Sequence, residues 1–219
     1  LKKSDVNNQK KILKKLKELY PDANCALEHE NAFQLLCSTI LSAQCTDARV
    51  NMVTPKLFKT YPSPLMMAKA PLERLEDLIR STGFYKNKAK SLQQTSASIV
   101  EKFDGKVPDT MEDLTSLRGV GRKTANVVLG NAFGKNEGVV VDTHVGRLSR
   151  RLGLTKHEDP VKVEQDLMKI VPKADWTVIS HEMISHGRAL CKAQRPKCEI
   201  CPLADLCPSF TGPVKSRIL

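Results

Sequence analysis

Apolar residues recur at three- and four-residue intervals along most of this chain, a spacing that builds amphipathic helices and leaves little room for sheets. Ile12, Leu13, Leu16, Leu19 and Tyr20 form one stripe, with Lys10, Lys11, Lys14, Lys15 and Lys17 mostly off it. Phe33, Leu36, Cys37, Ile40 and Leu41 form a second, entered through Asn31 as N-cap. Leu72, Leu75, Leu78 and Ile79 form a third, with Pro71 at its first helical position. Leu92, Ser96, Ile99, Val100 and Phe103 mark a fourth, and Ala125, Val128, Leu129, Ala132 and Phe133 a fifth. Residues near 160–170 and 175–190 read as helix as well. Pro55 falls in the helical stretch after Asp47, where its missing amide predicts a kink or break. The β-branched run Val139-Val140-Val141 is only three residues long and reads as an extended connector. The expected fold class is all-α.

With 219 residues the chain can form one large domain or two modest ones, and 41% hydrophobic content can fill a core without disulfide staples. No apolar run approaches the roughly 20 residues of a membrane-spanning helix. The Lys-rich lead, Leu1-Lys2-Lys3-Ser4-Asp5, has no signal-peptide apolar region, so the expected compartment is the cytoplasm, in association with the nucleoid if the source is bacterial. Leu1 is not a methionine, so native residues are expected ahead of it. The formal net charge of +11 favours a polyanionic partner, because each cation that meets a phosphate releases counterions. Charge by itself leaves nucleic acid and an anionic membrane surface both open.

The most informative local motif is Leu117-Arg118-Gly119-Val120-Gly121-Arg122-Lys123-Thr124-Ala125. A short helix, Met111 to Leu117, precedes it, and the fifth apolar stripe follows from Arg122. Gly119 and Gly121 let the backbone turn sharply and approach a ligand closely. Amides aimed from such a turn at the start of a helix can hold a phosphate oxygen, gripping a nucleic-acid backbone through Gly119, Val120 and Gly121 without reading its sequence. A dinucleotide fingerprint would need a glycine where Thr124 stands and a strand ahead of the turn. A P-loop would need a glycine where Ser116 stands. An ordinary helix–helix turn fits the same spacing.

Cys191, Cys198, Cys201 and Cys207 are spaced C-x6-C-x2-C-x5-C. Such crowding in a reducing compartment points to metal rather than disulfides. Thiolate softness suits zinc and iron–sulfur ligation about equally. The tract between the first two cysteines carries Lys192, Arg195 and Lys197 and no acid, which makes Arg195 and Lys197 candidate phosphate contacts. His181 and His186 resemble a zincin pair but stand five apart, about 140° around a helix, and cannot share a metal there. Lys123 lies in a first helical turn, the end of a helix where the dipole is unfavourable to a cation, and is a candidate nucleophile; a phosphate contact is the simpler role. Asp142 ends the valine run and is a natural N-cap, a role compatible with aiming its second oxygen at chemistry.

These residues together resemble the endonuclease III family of helix-hairpin-helix DNA glycosylases, from about residue 10 to Cys207. The markers are Leu41-Ser42-Ala43-Gln44 with Asp47, the run Gly119 to Asn126, Val141-Asp142-Thr143-His144, and His186-Gly187-Arg188 ahead of the cysteines. The resemblance implies a [4Fe–4S] cluster on Cys191, Cys198, Cys201 and Cys207, which decides iron against zinc. It implies a six-helix domain over 25–136 and a cluster domain from 1–24 and 137–219, flanking a DNA cleft. It makes the expected activity excision of oxidised pyrimidines from damaged double-stranded DNA by a monomer with no membrane association, followed by β-elimination 3′ to the abasic site. Lys123 would attack C1′, Asp142 would assist it, Gln44 would fill the space left by the extruded base, and Phe84 would act as a wedge. Arg118 stands where the family usually has proline, and Phe84 where leucine is usual. The alternatives are a non-catalytic module that uses hairpin and cluster only for grip, or a mismatch-specific relative; the latter lacks the hairpin lysine.

Overall fold

The computed structural model describes residues 3–212, with side chains from Asn7 onward; Leu1, Lys2 and residues 213–219 lie outside the described residues, and so does the reading of the N-terminal lead at Leu1 and Lys2. Eleven α-helices account for the described chain, and no strand occurs among the described residues. Val139 and Val140 are buried in an extended connector. None of these helices is long and apolar enough to cross a membrane.

The chain divides into two compact units, Cys25–Glu137 and Leu1–Asn24 with Gly138–Leu219. The first holds α2 (Ala32–Leu41), α3 (Asp47–Thr60), α4 (Pro64–Ala68), α5 (Leu72–Ile79), α6 (Tyr85–Phe103), α7 (Met111–Ser116) and α8 (Arg122–Phe133). Asn31 caps α2 by accepting from the Gln34 amide at 2.9 Å. Helix α2 is apolar on most sides, burying Leu35, Leu36, Ile40 and Leu41, and packs on both α8 and α3. Helix α8 answers with Ala125, Val128 and Leu129, all fully buried. Each large apolar side chain buried there contributes about 1.5–3 kcal/mol, so the start of α8 is held firmly by its middle.

Two local expectations are corrected. Of the kink or break expected at Pro55, the break does not occur: helix α3 runs from Asp47 to Thr60. Burial of Val50, Thr54, Leu57 and Phe58 on its inner face outweighs the loss of one helical hydrogen bond. Pro71 is the residue before α5 rather than its first helical residue, with φ −58° and an extended ψ of 128°.

The second unit holds α1 (Lys3–Leu19), α9 (Thr143–Arg151), α10 (Pro160–Ile170) and α11 (Trp176–Ala189). Ile12, Leu16, Val145, Leu148, Leu167 and Met183 make its core. Helix α1 is also tied to the C-terminal segment by polar bonds: Asn8 Nδ2 donates to the Leu206 carbonyl at 2.9 Å, and Gln9 Nε2 to the Gly153 carbonyl at 3.0 Å.

Candidate nucleic-acid interface and cysteine centre

Between α7 and α8 the backbone turns through Gly119 at φ +76°, a left-handed conformation that an L side chain rarely adopts. Gly121 needs no such freedom, since its φ is −93°, but a Cβ placed there would find no atom within 4 Å. It is the N-cap of α8, with no side-chain capping bond, so the first amides of that helix have no capping side chain to satisfy them. Val120 is buried between the two glycines and anchors the turn, and Thr95 Oγ1 donates to the Arg118 carbonyl at 2.6 Å. Lys123, the second residue of α8, is exposed. An open, uncapped helix start beside a free amine suits an anion.

Gln44 and Phe84 lie in the same unit and share an unusual backbone. Their φ values are +51° and +48°, and both side chains are exposed, Phe84 to 65%. Arg195, in the cysteine loop, has φ +49° and is exposed, as is Lys197. Left-handed backbone at a non-glycine residue costs about 1–3 kcal/mol, and such strain clusters at ligand contacts. Asp104, the remaining left-handed non-glycine residue among those described, merely ends α6 beside Gly105.

In the second unit Asp142 caps α9, its Oδ1 accepting from the Val145 amide at 2.8 Å. It is half-buried, and among the described residues Oδ2 has no hydrogen-bond partner. Helix α9 then reaches the cysteine segment through two arginines one turn apart. Arg147 donates from Nε and Nη2 to the Cys191 carbonyl at 3.3 and 3.1 Å. Arg151 donates to the carbonyls of Lys192 and Ala193 at 2.7 and 2.9 Å, and to Cys191 Sγ at 3.5 Å. Helix α11 packs close to α9 at Gly187, where a Cβ would meet His144 Nδ1 at 2.8 Å and Arg147 Nη2 at 3.1 Å. His186, 1% exposed, is held between the Tyr20 hydroxyl at 2.9 Å and Cys201 Sγ at 3.5 Å. Burial pushes its imidazole below the usual histidine range.

Cys191, Cys198, Cys201 and Cys207 are free thiols that line one pocket, with Leu152, Leu190, Ala204 and Phe210 as apolar walls and no carboxylate in the lining. Burial pushes the Cys201 thiol up, and the other three sulfurs add to that shift, so all four interact. Four soft donors in an apolar shell fit an iron–sulfur cluster. Among the described residues no three His, Cys, Asp or Glu side chains are gathered to hold a single ion.

The sequence reading missed Arg147, Arg151 and Lys88. The arginine pair had a signal, since a four-residue interval puts both on one helix face. Lys88 is buried in α6 with its Nζ on the Thr82 carbonyl, and nothing in its surroundings in sequence marks it.

Residues 37–173 match the HhH-GPD superfamily base excision DNA repair protein family, and residues 191–207 match the iron–sulfur binding domain of endonuclease III. The chain is 57% identical over 198 residues to endonuclease III of Synechocystis sp. (strain ATCC 27184 / PCC 6803 / Kazusa), covering 90% of each. It is 50% identical to that of Bacillus subtilis (strain 168), covering 89% of each. A solved trapped endonuclease III–DNA covalent intermediate superposes with a TM-score of 0.87 at 48% identity, over 92% of this chain and 96% of that one. A non-covalent endonuclease III–DNA complex gives 0.89 at 47%, over 93% and 95%. A [4Fe–4S] cluster, rather than zinc, is therefore the cofactor of this chain. The chain belongs to the endonuclease III family, within the helix-hairpin-helix superfamily of base excision DNA repair proteins.

Proposed function

We propose that this chain removes oxidised pyrimidines from double-stranded DNA and nicks the strand 3′ to the abasic site, with Lys123 as nucleophile and Asp142 as its assistant. Membership of the family makes it a base excision glycosylase with abasic-site lyase activity rather than a grip-only module. The observation that carries the residue assignment is the exposed Lys123 amine in the first turn of α8, directly after an uncapped glycine turn. The Val120 amide is spent within the turn, on the Leu117 carbonyl at 3.2 Å, so Val120 shapes the grip while the amides of Gly119 and Gly121 hold a phosphate and bring the neighbouring sugar within reach of that amine.

Extrusion of the target nucleotide costs a few kcal/mol. Phe84 enters the stack as a wedge and Gln44 takes the vacated space. The lone pair of Lys123 Nζ then bonds to C1′ as the bond from C1′ to the base breaks. The base leaves with that electron pair and takes up a proton. Asp142, with Oδ1 engaged as a cap, uses Oδ2 to accept the proton that frees the amine and to steady positive charge on the sugar. Ring opening gives a Schiff base at Lys123, and loss of a C2′ proton expels the 3′ phosphate. Cys191, Cys198, Cys201 and Cys207 would hold the [4Fe–4S] cluster, which when bound supplies a four-point covalent pin. The loop so fixed presents Arg195 and Lys197 to phosphates.

In this reading residues 25–136 act as the six-helix, hairpin-bearing domain, and 1–24 with 137–219 as the cluster domain. The chain works as a monomer, without membrane association, in the cytoplasm and, if its source is bacterial, at the nucleoid. A product gel on duplexes carrying single lesions tests the activity. Wild type should convert a thymine-glycol duplex to a strand ending in the unsaturated sugar fragment. An intact strand that alkali also fails to cut contradicts the reading.

A further inference from the structure

Burying an ammonium costs far more than burying an apolar side chain of the same length, so a buried lysine has to supply something a methionine could not. Lys88 of α6 is 5% exposed. Its Nζ donates to the Thr82 carbonyl at 2.7 Å. Burial pushes this ammonium below the usual lysine range, and the Cys45 thiol, close enough to act on it electrostatically, opposes that shift.

The carbonyl that this nitrogen holds adjoins two residues of positive φ. Thr82 is buried, its Oγ1 donating to the Ile79 carbonyl at 2.8 Å, and the next residues are Gly83 at φ +70° and Phe84 at φ +48°. The Lys88 amide closes the far side of the turn on the Phe84 carbonyl at 3.1 Å. Arg80 braces the outer side, its guanidinium 5.1 Å from the centre of the Tyr85 ring. One buried cation therefore underlies the turn that carries the exposed, left-handed Phe84.

We propose that Lys88 is a positioning residue for base extrusion, clamping the Thr82 carbonyl and so seating the Phe84 turn on a buried point. The left-handed backbone of Phe84 is not favourable unaided, and a fixed donor beneath the turn keeps Phe84 presented before DNA arrives. The inference rests on reading Phe84 as an inserting residue. Lys88 acts through it and touches no reacting atom.

Single-turnover excision from a thymine-glycol duplex, set against Schiff-base formation on a single-stranded abasic oligonucleotide, separates positioning from general damage. The single strand has no stack to open. K88M should lose about tenfold on the duplex and less than about twofold on the single strand, while K88R recovers most of the duplex rate. The double variant F84A/K88M should stay within about twofold of F84A alone, because both act through one element. Equal losses on both substrates, losses that multiply in the double variant, or a K88M duplex rate within about twofold of wild type overturn the proposal. If circular dichroism shows K88M unfolded, K88Q is read in the same way. A wild type inactive on both substrates, or an F84A with full duplex activity, overturns the insertion reading and this proposal with it. A normal K88M beside a defective F84A overturns this proposal alone.

Discussion

The two units are stabilised by different means. In Cys25–Glu137 the functional turn sits on apolar packing: α8 is fixed through Ala125, Val128 and Leu129, and Val120 plugs the turn itself. In the other unit the segment from Cys191 to Cys207 has only two short 3-10 turns, and its buried apolar residues are few. It is tied instead by Arg147 and Arg151 to backbone carbonyls, and by His186 to Cys201. A segment with so little apolar burial is ordered chiefly by what its four thiolates hold, much as a zinc finger depends on its metal. The lesson is that one chain uses core packing where a backbone must be precise, and a cofactor where a basic loop must be rigid yet exposed.

The largest expected effect is on the cysteine segment. Cys198→Ser should abolish the visible iron–sulfur absorbance and lower hydrogen-exchange protection across 190–207 by about a hundredfold, with α8 nearly unchanged. Uniform loss in both units would break the comparison. Next, Leu129→Ala should destabilise the hairpin-bearing unit by about 2–5 kcal/mol in urea melts. An effect below about 0.5 kcal/mol would show that apolar packing does not fix α8.

A pH experiment sharpens the contrast from the polar side. Burial pushes Glu182 of α11 up to about 7 from an ordinary 4.5, with Lys17 opposing and Asp175 adding to the shift. Below about 4.5 both folded and unfolded states keep the proton. Between 4.5 and 7 the unfolded chain releases it while the folded one retains it, so stability falls as pH rises; above 7 the deficit is constant. Glu182→Gln should therefore recover on the order of 3 kcal/mol at pH 8 and almost nothing at pH 4. Equal effects at both pH values would remove titration as the cause. The smallest effect concerns the glycines. Gly119→Ala should cost about 1–2 kcal/mol through its left-handed φ, whereas Gly121→Ala should change stability by less than about 0.5 kcal/mol and weaken DNA binding instead. Equal stability losses would mean that both glycines are kept for folding alone.

How much of this was legible before the structure differs by kind of feature. Helix α8 could be read at its correct bounds because the glycine turn marks its start and the apolar stripe runs to Phe133. Asp142 could be read as a cap because it separates an extended run from a helical one. The break allowed for at Pro55 did not occur, because a proline's local cost is visible in sequence whereas the burial that offsets it is a property of the packed unit. Lys88, Glu182 and His186 were opaque for the same reason: each is a polar residue that tertiary packing buries, and periodicity places a residue on a face without saying what covers it. The left-handed backbones of Gln44, Phe84 and Arg195 were opaque too, since nothing in those residue types announces a positive φ.

Borohydride reduction on a thymine-glycol duplex tests the assignment of Lys123 most directly, because it makes any imine between protein and deoxyribose permanent. Wild type should give a covalent adduct whose peptide map places the sugar on Lys123, and Lys123→Ala should give none while still binding the duplex. An adduct of undiminished yield in Lys123→Ala, or an active wild type that never forms one, would contradict it.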